Sequence, residues 1–469
     1  MSNVLTAPAP LDNDEDGPES ELTASPTPPT RTAGFNEITL DDVAKVLSLT
    51  IKDDDGNKKI VFLAMLSAYT DKSQINVSLN APSATGKTYL ATQIAKLFPA
   101  DDKIERSGAS PTSFFYGEGV EDKVRKAKIV SLKRKILIFY EQPNPALQEK
   151  LRALLSHDSR EVVHSLTNKK GGRNQVDTII IEGFAATVFC SANMVLDEQE
   201  TTRAILVSPE ATEAKLKQAI HLQARRGSNE DEFDDWLESR PERTALMERV
   251  VAIRDEHVDE IIIEDSDEIE RRFVKQLHAL QPRHQRDMSH LQQLIKAIAL
   301  LNVWHRRRTD GTVVASESDI DEAFKLWSEF FESQNLNLPP AVMAIYKKYV
   351  VPAYLDKYKQ GSQNTKDAMR LGYVGVTPNE VSAYYVSQEG SVLNGDHLNK
   401  QILPQLERAG VITRKKPQKE SEDDLNDRRT RHIIPQQLTD EERKYIGNGG
   451  IDDDQIDLLE EMSKLIDNL

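Results

Sequence analysis

The segment Ala81-Pro-Ser-Ala-Thr-Gly-Lys-Thr88 constrains the fold of this chain more than any other feature. It lies between an apolar run, Ile75–Leu79, which is typical of a buried strand, and a helical pattern over Tyr89–Leu97. A tight loop between a strand and a helix turns successive backbone N–H groups inward and forms a nest for an anion. The first helical turn adds its positive end to the same nest. The sequence therefore predicts a phosphate-binding loop within an α/β domain.

This loop is predicted to hold ATP together with Mg²⁺. Lys87 would reach the β- and γ-phosphates, and the Thr88 hydroxyl would bind the metal ion. The predicted nucleotide-binding residues are Pro82, Ser83, Ala84, Thr85, Gly86, Lys87 and Thr88. Ala81 departs from the pattern, because a glycine usually opens such a loop. An ordinary Thr-Gly-Lys turn before a helix is the competing interpretation.

Length and composition favour a protein with several globular domains. The 469 residues, of which 38% are hydrophobic, suffice for about two to four domains with their own cores. The net charge of −16 argues mildly against nucleic-acid binding, but both ends of the chain are strongly acidic, so basic patches remain possible in the middle. The single cysteine, Cys190, excludes a disulfide framework. No transmembrane run or signal peptide is predicted, and the expected location is cytoplasmic.

A second apolar strand, Lys135-Ile-Leu-Ile-Phe-Tyr-Glu141, ends in a carboxylate. In P-loop ATPases the corresponding strand ends in Asp-Glu, where the aspartate supports Mg²⁺ and the glutamate polarises the attacking water. Here Tyr140 takes the place of the aspartate. Glu141 is the predicted catalytic base and a candidate Mg²⁺ ligand, although a surface glutamate after a buried strand is the simpler alternative. The missing aspartate argues against fast hydrolysis.

Three further residues are candidates for contact with a nucleotide. Asn193 follows the apolar run Thr187–Cys190 and is predicted to orient water through its amide. Arg203 is predicted to reach the nucleotide of a neighbouring subunit, where it would stabilise charge on the transferring phosphoryl group. Arg286, with Arg283 as its alternative, begins an apolar helical pattern and would reach the nucleotide from a helical lid. Asparagine and arginine are also common near turns, so an ordinary solvated role is the alternative for each.

A β-hairpin is predicted over residues 161–181, between the carboxylate strand and Asn193. Two strand-like runs are joined by Asn168-Lys-Lys-Gly-Gly-Arg173. Lys169, Lys170 and Arg173 would place three positive charges at the hairpin tip, where they would bind nucleic-acid phosphates inside a ring. A solvated hairpin turn is the competing interpretation.

The block 340–435 has the order helix, helix, strand, strand. Thr377-Pro-Asn-Glu380 is a strong helix start, and a second helix is predicted from Asn394 to Gly410, with Pro404 as a potential kink. Two wing strands would follow, with an acidic insert between them. This order is similar to a winged helix–turn–helix domain, although many such domains bind only protein. The residues expected near DNA are Lys400, Arg414, Lys415 and Lys416.

Taken in order, these segments resemble the AAA+ ATPase module of MCM-type helicases and of related plasmid- and virus-encoded replication proteins. The resemblance lies within residues 70–305 and rests on motif order rather than on close identity. It implies an α/β fold, namely a P-loop AAA+ parallel sheet with helices on both faces, together with a helical lid and a C-terminal winged helix–turn–helix. It also implies a homo-oligomer, with a hexamer as the family pattern, that translocates on DNA.

The favoured function is ATP-driven action on single- or double-stranded DNA, as a replicative helicase or a helicase loader with a replication protein as partner. The alternative is a nucleotide switch that acts on protein partners with slow or no hydrolysis, which Tyr140 and the acidic ends favour. The expected domains are a disordered acidic tail (1–35), a helical segment (36–70), a nucleotide-binding core (71–210), a helical lid (211–335), a winged helix (340–435) and an acidic tail with a short helix (436–469).

Overall fold

The computed structural model describes residues 34–107, 110, 119–170, 173–191, 202–210, 212–258, 260–277, 279–309, 312–416 and 431–447. Most of the predicted acidic tail, the acidic insert of the wing and the predicted terminal helix lie outside these residues. The chain divides into residues 1–36 and a larger unit, Glu37–Leu469, which contains every element described below.

A five-stranded parallel sheet forms the centre of the first half of the chain. Its spatial order is β2-β5-β8-β1-β9, and all neighbouring strands run parallel. The predicted strand Ile75–Leu79 is shifted by one residue. The apolar runs Ile136–Phe139, Ala186–Ser191 and Ile205–Val207 become buried strands with helices on their faces, whereas the edge strand Lys103–Arg106 has one buried residue. The strands are β1 (Asn76–Asn80), β2 (Lys103–Arg106), β5 (Ile136–Phe139), β8 (Ala186–Ser191) and β9 (Ile205–Val207).

Helices cover one face of this sheet in a single large core. Helix α1 (Leu40–Leu47) begins with a capping box between Thr39 and Asp42. Helix α2 (Asp55–Leu66), within the predicted helical segment 36–70, is buried on all sides from Asn57 to Leu66. Helix α3 (Lys87–Ala95) follows the phosphate loop and packs on the same core. The sheet and these helices therefore hold the loop between two rigid elements.

A second sheet extends from the central one and includes the predicted hairpin. Its order is β3-β4-β7-β6, and β4 and β7 are parallel. Strands β6 and β7 pair without a break from Glu161–Glu182 to Lys170–Arg173. Helix α4 (Pro145–Leu155) packs beneath this sheet in a second core. The strands are β3 (Val120–Asp122), β4 (Ala127–Ser131), β6 (Glu161–Lys170) and β7 (Arg173–Glu182).

Residues 213–335 are mainly helical. A small sheet joins β10 (Glu260–Ile262), β12 (Thr312–Val314) and β11 (Arg308–Thr309) in that order. The helices are α5 (Glu213–Ser228), α6 (Glu230–Glu238), α7 (Pro241–Asp255), α8 (Ser266–Lys275), α9 (His284–Leu301) and α10 (Glu317–Asn335).

The last residues of α10 contact the edge of the central sheet. Gln334 Nε2 donates to the carbonyl oxygen of Leu206 at 2.8 Å, and its Oε1 accepts from the Leu206 N–H at 3.3 Å. Leu206 lies in β9, which is the outermost strand of the sheet on that side. The Gln334 side chain therefore forms hydrogen bonds with both the N–H and the carbonyl group of Leu206.

The C-terminal block has a core of its own. Helix α11 (Pro340–Ile345) continues through a π turn, Tyr346–Val350, into α12 (Val351–Gln360). Helix α13 (Gln363–Arg370) and α14 (Pro378–Glu389) flank Val376, which forms an isolated antiparallel bridge with Ile433.

The remaining elements of this block complete a small sheet beside helices. Helix α15 (Gly395–His397) passes through a π turn, Leu398–Ile402, into α16 (Leu403–Arg408). The π turn lies directly before Pro404, so the helix accommodates the proline there. Strands β13 (Ile412–Lys415) and β14 (His432–Pro435) pair antiparallel, and α17 (Asp440–Gly447) follows. Within the described ranges, no helix is long and apolar enough to cross a membrane.

Candidate nucleotide site

The predicted phosphate loop joins the carboxyl end of β1 to the first turn of α3. Gly86 has φ +90° and ψ +14°, a left-handed conformation that glycine adopts without steric cost. Ala84 also has a positive φ, +66°, which an L-residue adopts only at a cost. No side chain caps the start of α3, so the N–H groups of its first turn are available to an anion. The local geometry is that of an anion nest.

Lys87 lies inside this loop. Its ammonium group is buried and donates to the carbonyl oxygens of Ala81 at 2.7 Å and Pro82 at 2.6 Å. Burial lowers the pKa of Lys87, while the nearby Cys190 thiol opposes the shift. The same environment raises the pKa of Cys190 to about 12 through burial, so its thiol is not a nucleophile near neutral pH. Lys87 therefore satisfies its donors on the loop itself and can exchange those carbonyls for phosphate oxygens.

Tyr140 and Glu141 follow β5, two strands away from β1 in the sheet. The Tyr140 hydroxyl donates to Glu105 Oε2 at 2.8 Å. Burial raises the pKa of Tyr140 to about 12, so the phenol is a neutral donor at physiological pH. Glu141 is exposed at the same edge of the sheet as the phosphate loop. Beside it, Gln142 Oε1 accepts a 2.7 Å hydrogen bond from Ser191 at the end of β8.

The residues around the loop fit a magnesium ion that is held mainly by phosphates. No group of three or more His, Cys, Asp or Glu side chains forms a metal cage among the described residues. Mg²⁺ in phosphate-transfer sites does not need such a cage, because it keeps water ligands and takes one or two protein oxygens. The Thr88 hydroxyl is exposed at the start of α3, and the Glu141 carboxylate is exposed at the same sheet edge. Asn193, the predicted water-orienting residue, lies outside the described residues.

Arg203 and Arg286 lie near the amino ends of the central strands, at the edge opposite to the phosphate loop. Arg203 Nε donates to Ser156 Oγ at 2.6 Å, and the Arg203 carbonyl accepts from Asn76 at the start of β1. Arg286 donates to the hydroxyl of Thr202, the residue before Arg203. Five residues of β1 separate this edge from the phosphate loop, which is about 16 Å of extended chain. Arg286 thus contacts the residue next to Arg203, and the structure separates both arginines from the loop of their own chain.

Arg283, the alternative to Arg286, has a different environment. Its Nε and Nη2 bind both carboxylate oxygens of Asp287, at 3.0 and 3.1 Å, within a largely buried pair. Its charge is therefore compensated inside the protein, and Arg286 is the arginine of this segment that contacts Thr202, the residue before Arg203.

Comparison with known proteins gives one family match over part of the chain. Residues 38–235 match the family model described as the MTBMA_p00010 P-loop domain. This range is less than half of the chain, and it includes the loop 81–88, the strand ending at Glu141 and the hairpin. The match and the parallel α/β sheet agree with a P-loop domain in this part of the chain.

The other comparisons add the following findings. A solved structure of a full-length MCM homolog from Methanopyrus kandleri is 13% identical and has a TM-score of 0.36. That match covers 63% of this chain and 59% of the homolog, so the chain spans less than two thirds of its length. No curated protein matches the chain.

Sequence patterns did not reveal a buried polar network at the base of the P-loop domain's phosphate loop. Ser208 donates to the carbonyl oxygen of Asn80, which directly precedes the loop, and Asn57 Nδ2 donates to the Ser208 carbonyl at 2.9 Å. Asp54 forms a buried ion pair with Lys215 and accepts from the Asn57 amide. The acidic run 53–55 looks like a solvated turn in the sequence, so only the positive φ of Asp54, +59°, and its burial identify its role.

The residues predicted to contact DNA lie in two other places. The backbone register sets Lys169 opposite Asn174 and Lys170 opposite Arg173 at the last rungs of the hairpin, and residues 171–172 lie outside the described residues. In the C-terminal block, Lys400 pairs with Asp396 at 3.0 Å. The other three are at the end of the C-terminal hairpin, where Arg414 pairs with Glu407 while Lys415 and Lys416 are exposed.

Proposed function

We propose that the chain is an ATP-binding and ATP-hydrolysing AAA+ protein that acts on DNA, as a replicative helicase or a helicase loader. The main support is the loop between β1 and α3, with a buried lysine that faces the loop carbonyls. The sheet adds support. Strands β1, β8 and β5 are parallel neighbours, so Glu141, which follows β5, lies at the same edge as the loop that follows β1. ATP with Mg²⁺ is the proposed ligand.

In the proposed reaction, Lys87 and the N–H groups of residues 82–88 bind the phosphates, and Thr88 binds the metal ion. Mg²⁺ would supply charge neutralisation on the phosphate oxygens. Glu141 would accept a proton from the attacking water, and Asn193 would orient that water. The role of Glu141 follows from its position after β5 and from the chemistry of a carboxylate, and the role of Asn193 follows from the sequence pattern alone.

The positions of Arg203 and Arg286 favour an oligomer. Both are about one strand length from the phosphate loop of their own chain, so they can reach a nucleotide only if a second copy presents its loop to this edge. Ser156 holds the Arg203 side chain, and Thr202, the residue before Arg203, holds the Arg286 side chain. A closed ring in which each chain completes the site of the next is the proposed arrangement, with six copies as the expected number.

Two structural features favour DNA as the partner. The ten-residue strands of the hairpin extend its basic tip from the body of the P-loop domain. In the C-terminal block, the Val376–Ile433 bridge adds a third extended segment to the β13–β14 pair, and helix α14 and the α15–α16 helix lie between these segments in the chain. That order is the one expected of a winged helix, in which Lys400, Arg414, Lys415 and Lys416 would face a duplex.

The second candidate is a nucleotide switch that acts on protein partners. Tyr140 favours it, because the residue replaces the aspartate that supports the metal ion during fast hydrolysis. The acidic ends of the chain favour it as well. This candidate predicts nucleotide binding without stimulation by DNA.

An ATPase assay with and without single-stranded and duplex DNA, at low salt, separates the two candidates. We expect DNA to stimulate hydrolysis, and we expect the double variant Lys169→Ala/Lys170→Ala to lose the stimulation while it keeps basal turnover. The double variant Lys217→Ala/Lys275→Ala is a matched control, since it removes two exposed lysines from helices outside the hairpin. Absence of stimulation in the wild-type protein would support the switch. Stimulation that survives in the hairpin variant would refute the role of the tip.

A further inference from the structure

Strand β5 ends without the carboxylate that a metal-dependent phosphate site ordinarily places there. Tyr140 occupies that position, and a tyrosine hydroxyl is neutral near pH 7. A neutral phenol cannot balance the charge of a divalent ion as an aspartate does. The neighbouring strand supplies a carboxylate, Glu105, which contacts the hydroxyl at the far end of the Tyr140 side chain.

Glu105 reaches this position because β2 and β5 are parallel neighbours in register. Arg106 lies opposite Phe139, and the Tyr140 N–H extends the ladder by donating to the Arg106 carbonyl oxygen at 2.8 Å. The carboxyl ends of parallel strands meet at one edge of a sheet. The hydrogen bond of 2.8 Å between the Tyr140 hydroxyl and Glu105 Oε2 connects the two strand ends.

The Glu105 carboxylate keeps free acceptor capacity. Its second oxygen is 3.8 Å from Lys103 Nζ, which is itself bound to the Ala95 carbonyl at 2.9 Å. The Glu105 side chain is 39% exposed. A carboxylate that only filled a structural gap would have both oxygens bound closely. This one is bound closely through one oxygen, while the other has only the Lys103 ammonium group at 3.8 Å.

Tyr140 also connects the Glu105 carboxylate to helix α3, which begins with Lys87 and Thr88. Its ring packs against the main core beneath α3, and its hydroxyl lies within hydrogen-bonding reach of Thr92. Thr92 Oγ1 donates to the Thr88 carbonyl at 2.7 Å, one helical turn from the hydroxyl that is proposed to bind Mg²⁺. Polar contacts thus lead from Glu105 through Tyr140 and Thr92 to the main chain of Thr88, in the first turn of α3.

We propose that Glu105 supplies the negative charge on the metal side of the phosphate loop that β5 lacks, and that Tyr140 is the positioning residue that holds it there. This inference rests on the proposed binding of ATP with Mg²⁺. It identifies a pair of residues, on two strands, that replaces a single aspartate.

The test measures binding of a fluorescent ATP analogue while Mg²⁺ is titrated at constant ionic strength. We expect Glu105→Gln to raise the Mg²⁺ concentration for half-saturation about tenfold, which corresponds to the loss of one charge-assisted contact. Tyr140→Phe should raise it by a smaller factor, because the carboxylate remains without its anchor. Binding of the analogue without Mg²⁺ should be the same in all variants. Glu121→Gln, an exposed carboxylate on β3, is the control.

A rescue experiment separates this role from a merely structural hydrogen bond. Tyr140→Asp restores a carboxylate at the end of β5, so adding Glu105→Gln to it should no longer change the Mg²⁺ dependence. If Glu105→Gln and Tyr140→Phe, both folded by circular dichroism, keep the wild-type Mg²⁺ dependence, the inference is wrong while nucleotide binding stands. The inference is also wrong, while nucleotide binding stands, if the wild-type protein binds the analogue equally well at every Mg²⁺ concentration. No binding of the analogue by the wild-type protein would overturn the proposed function as well.

Discussion

Lys87 Nζ lies 2.6 Å from the carbonyl oxygen of Pro82, five residues before it in the same loop. A second bond to Ala81 gives the ammonium group two acceptors within the protein. A phosphate therefore has to replace these carbonyls, and it does so with oxygens that carry negative charge, which attract the ammonium group more strongly than neutral carbonyl oxygens do. The two hydrogen bonds from Lys87 close the loop, and a bound nucleotide can open it by taking their place.

Replacing this lysine should remove nucleotide binding. We expect Lys87→Ala to raise the dissociation constant for ATP on the order of 10- to 100-fold, since a hydrogen bond to a charged group contributes about 1.5–3 kcal/mol. Isothermal titration calorimetry measures this directly. Lys96→Ala removes an exposed lysine after the end of the same helix and should keep wild-type affinity. Equal affinity in the two variants would contradict the assignment of the loop.

The conformation of Gly86 gives a second test, with Gly227 as its control. A Cβ atom would meet nothing within 4 Å at either position, but only Gly86 has a positive φ. We expect Gly86→Ala to lower the free energy of unfolding by about 1–2 kcal/mol and to weaken ATP binding, because the left-handed backbone is strained for alanine. Gly227→Ala in helix α5 should be neutral or stabilising by up to about 1 kcal/mol. Urea denaturation of both variants measures these free energies. An unchanged free energy of unfolding in Gly86→Ala would show that the loop has another backbone conformation.

The separation of Arg203 from its own phosphate loop predicts complementation between chains. Arg203→Ala should reduce ATP hydrolysis about 100-fold or more while ATP still binds, as expected of an arginine that acts on the transition state. Mixing it with Lys87→Ala should restore part of the activity, since some interfaces then join an intact arginine to an intact loop. Arg271→Ala, which removes an exposed arginine on α8, should leave hydrolysis unchanged. A mixture no more active than the sum of its components would mean that the sites are not shared.

Buried His290 predicts a specific dependence of stability on pH. Burial lowers its pKa to about 4, and the nearby Asp287 only partly opposes this. The unfolded chain binds a proton at this residue below about pH 6.5, but the native protein does not until about pH 4. The free energy of unfolding should therefore fall as the pH decreases between these values, by roughly 3 kcal/mol in total.

His290→Gln should remove this contribution. Urea unfolding at pH 7.5 and pH 5 measures it as a smaller difference between the two pH values than in the wild-type protein. His221→Gln, at an exposed position on α5, should keep the wild-type difference. The prediction fails if both variants show the same pH dependence as the wild-type protein.

The local features of the P-loop domain were accessible from the sequence. The strand before the loop was placed within one residue, and the hairpin 161–181 corresponds to paired strands over Glu161–Glu182. These patterns depend on neighbouring residues, since alternation, turn glycines and helix starts are set by short segments.

Features that depend on residues far apart in the sequence were not accessible. Nothing in the acidic run before α2 indicates that Asp54 is buried against Lys215, 161 residues later. The partner of Tyr140 belongs to a strand that is hydrogen-bonded to β5 but lies 35 residues away. Arg286 was expected to act from a lid, and its place beside Thr202 depends on how α9 packs. Tertiary packing decides all three, and a single sequence does not encode it in any local pattern.

The contact between Gln334 and Leu206 limits how copies of this chain can associate. Open sheet edges are places where proteins add foreign strands or aggregate. Here the amide at the end of α10 occupies the main-chain groups of Leu206 as a one-residue substitute for a strand. A second copy of the chain therefore cannot lengthen the sheet at Leu206, and any association on this side would run through side chains and helices instead of a continuous β-ladder.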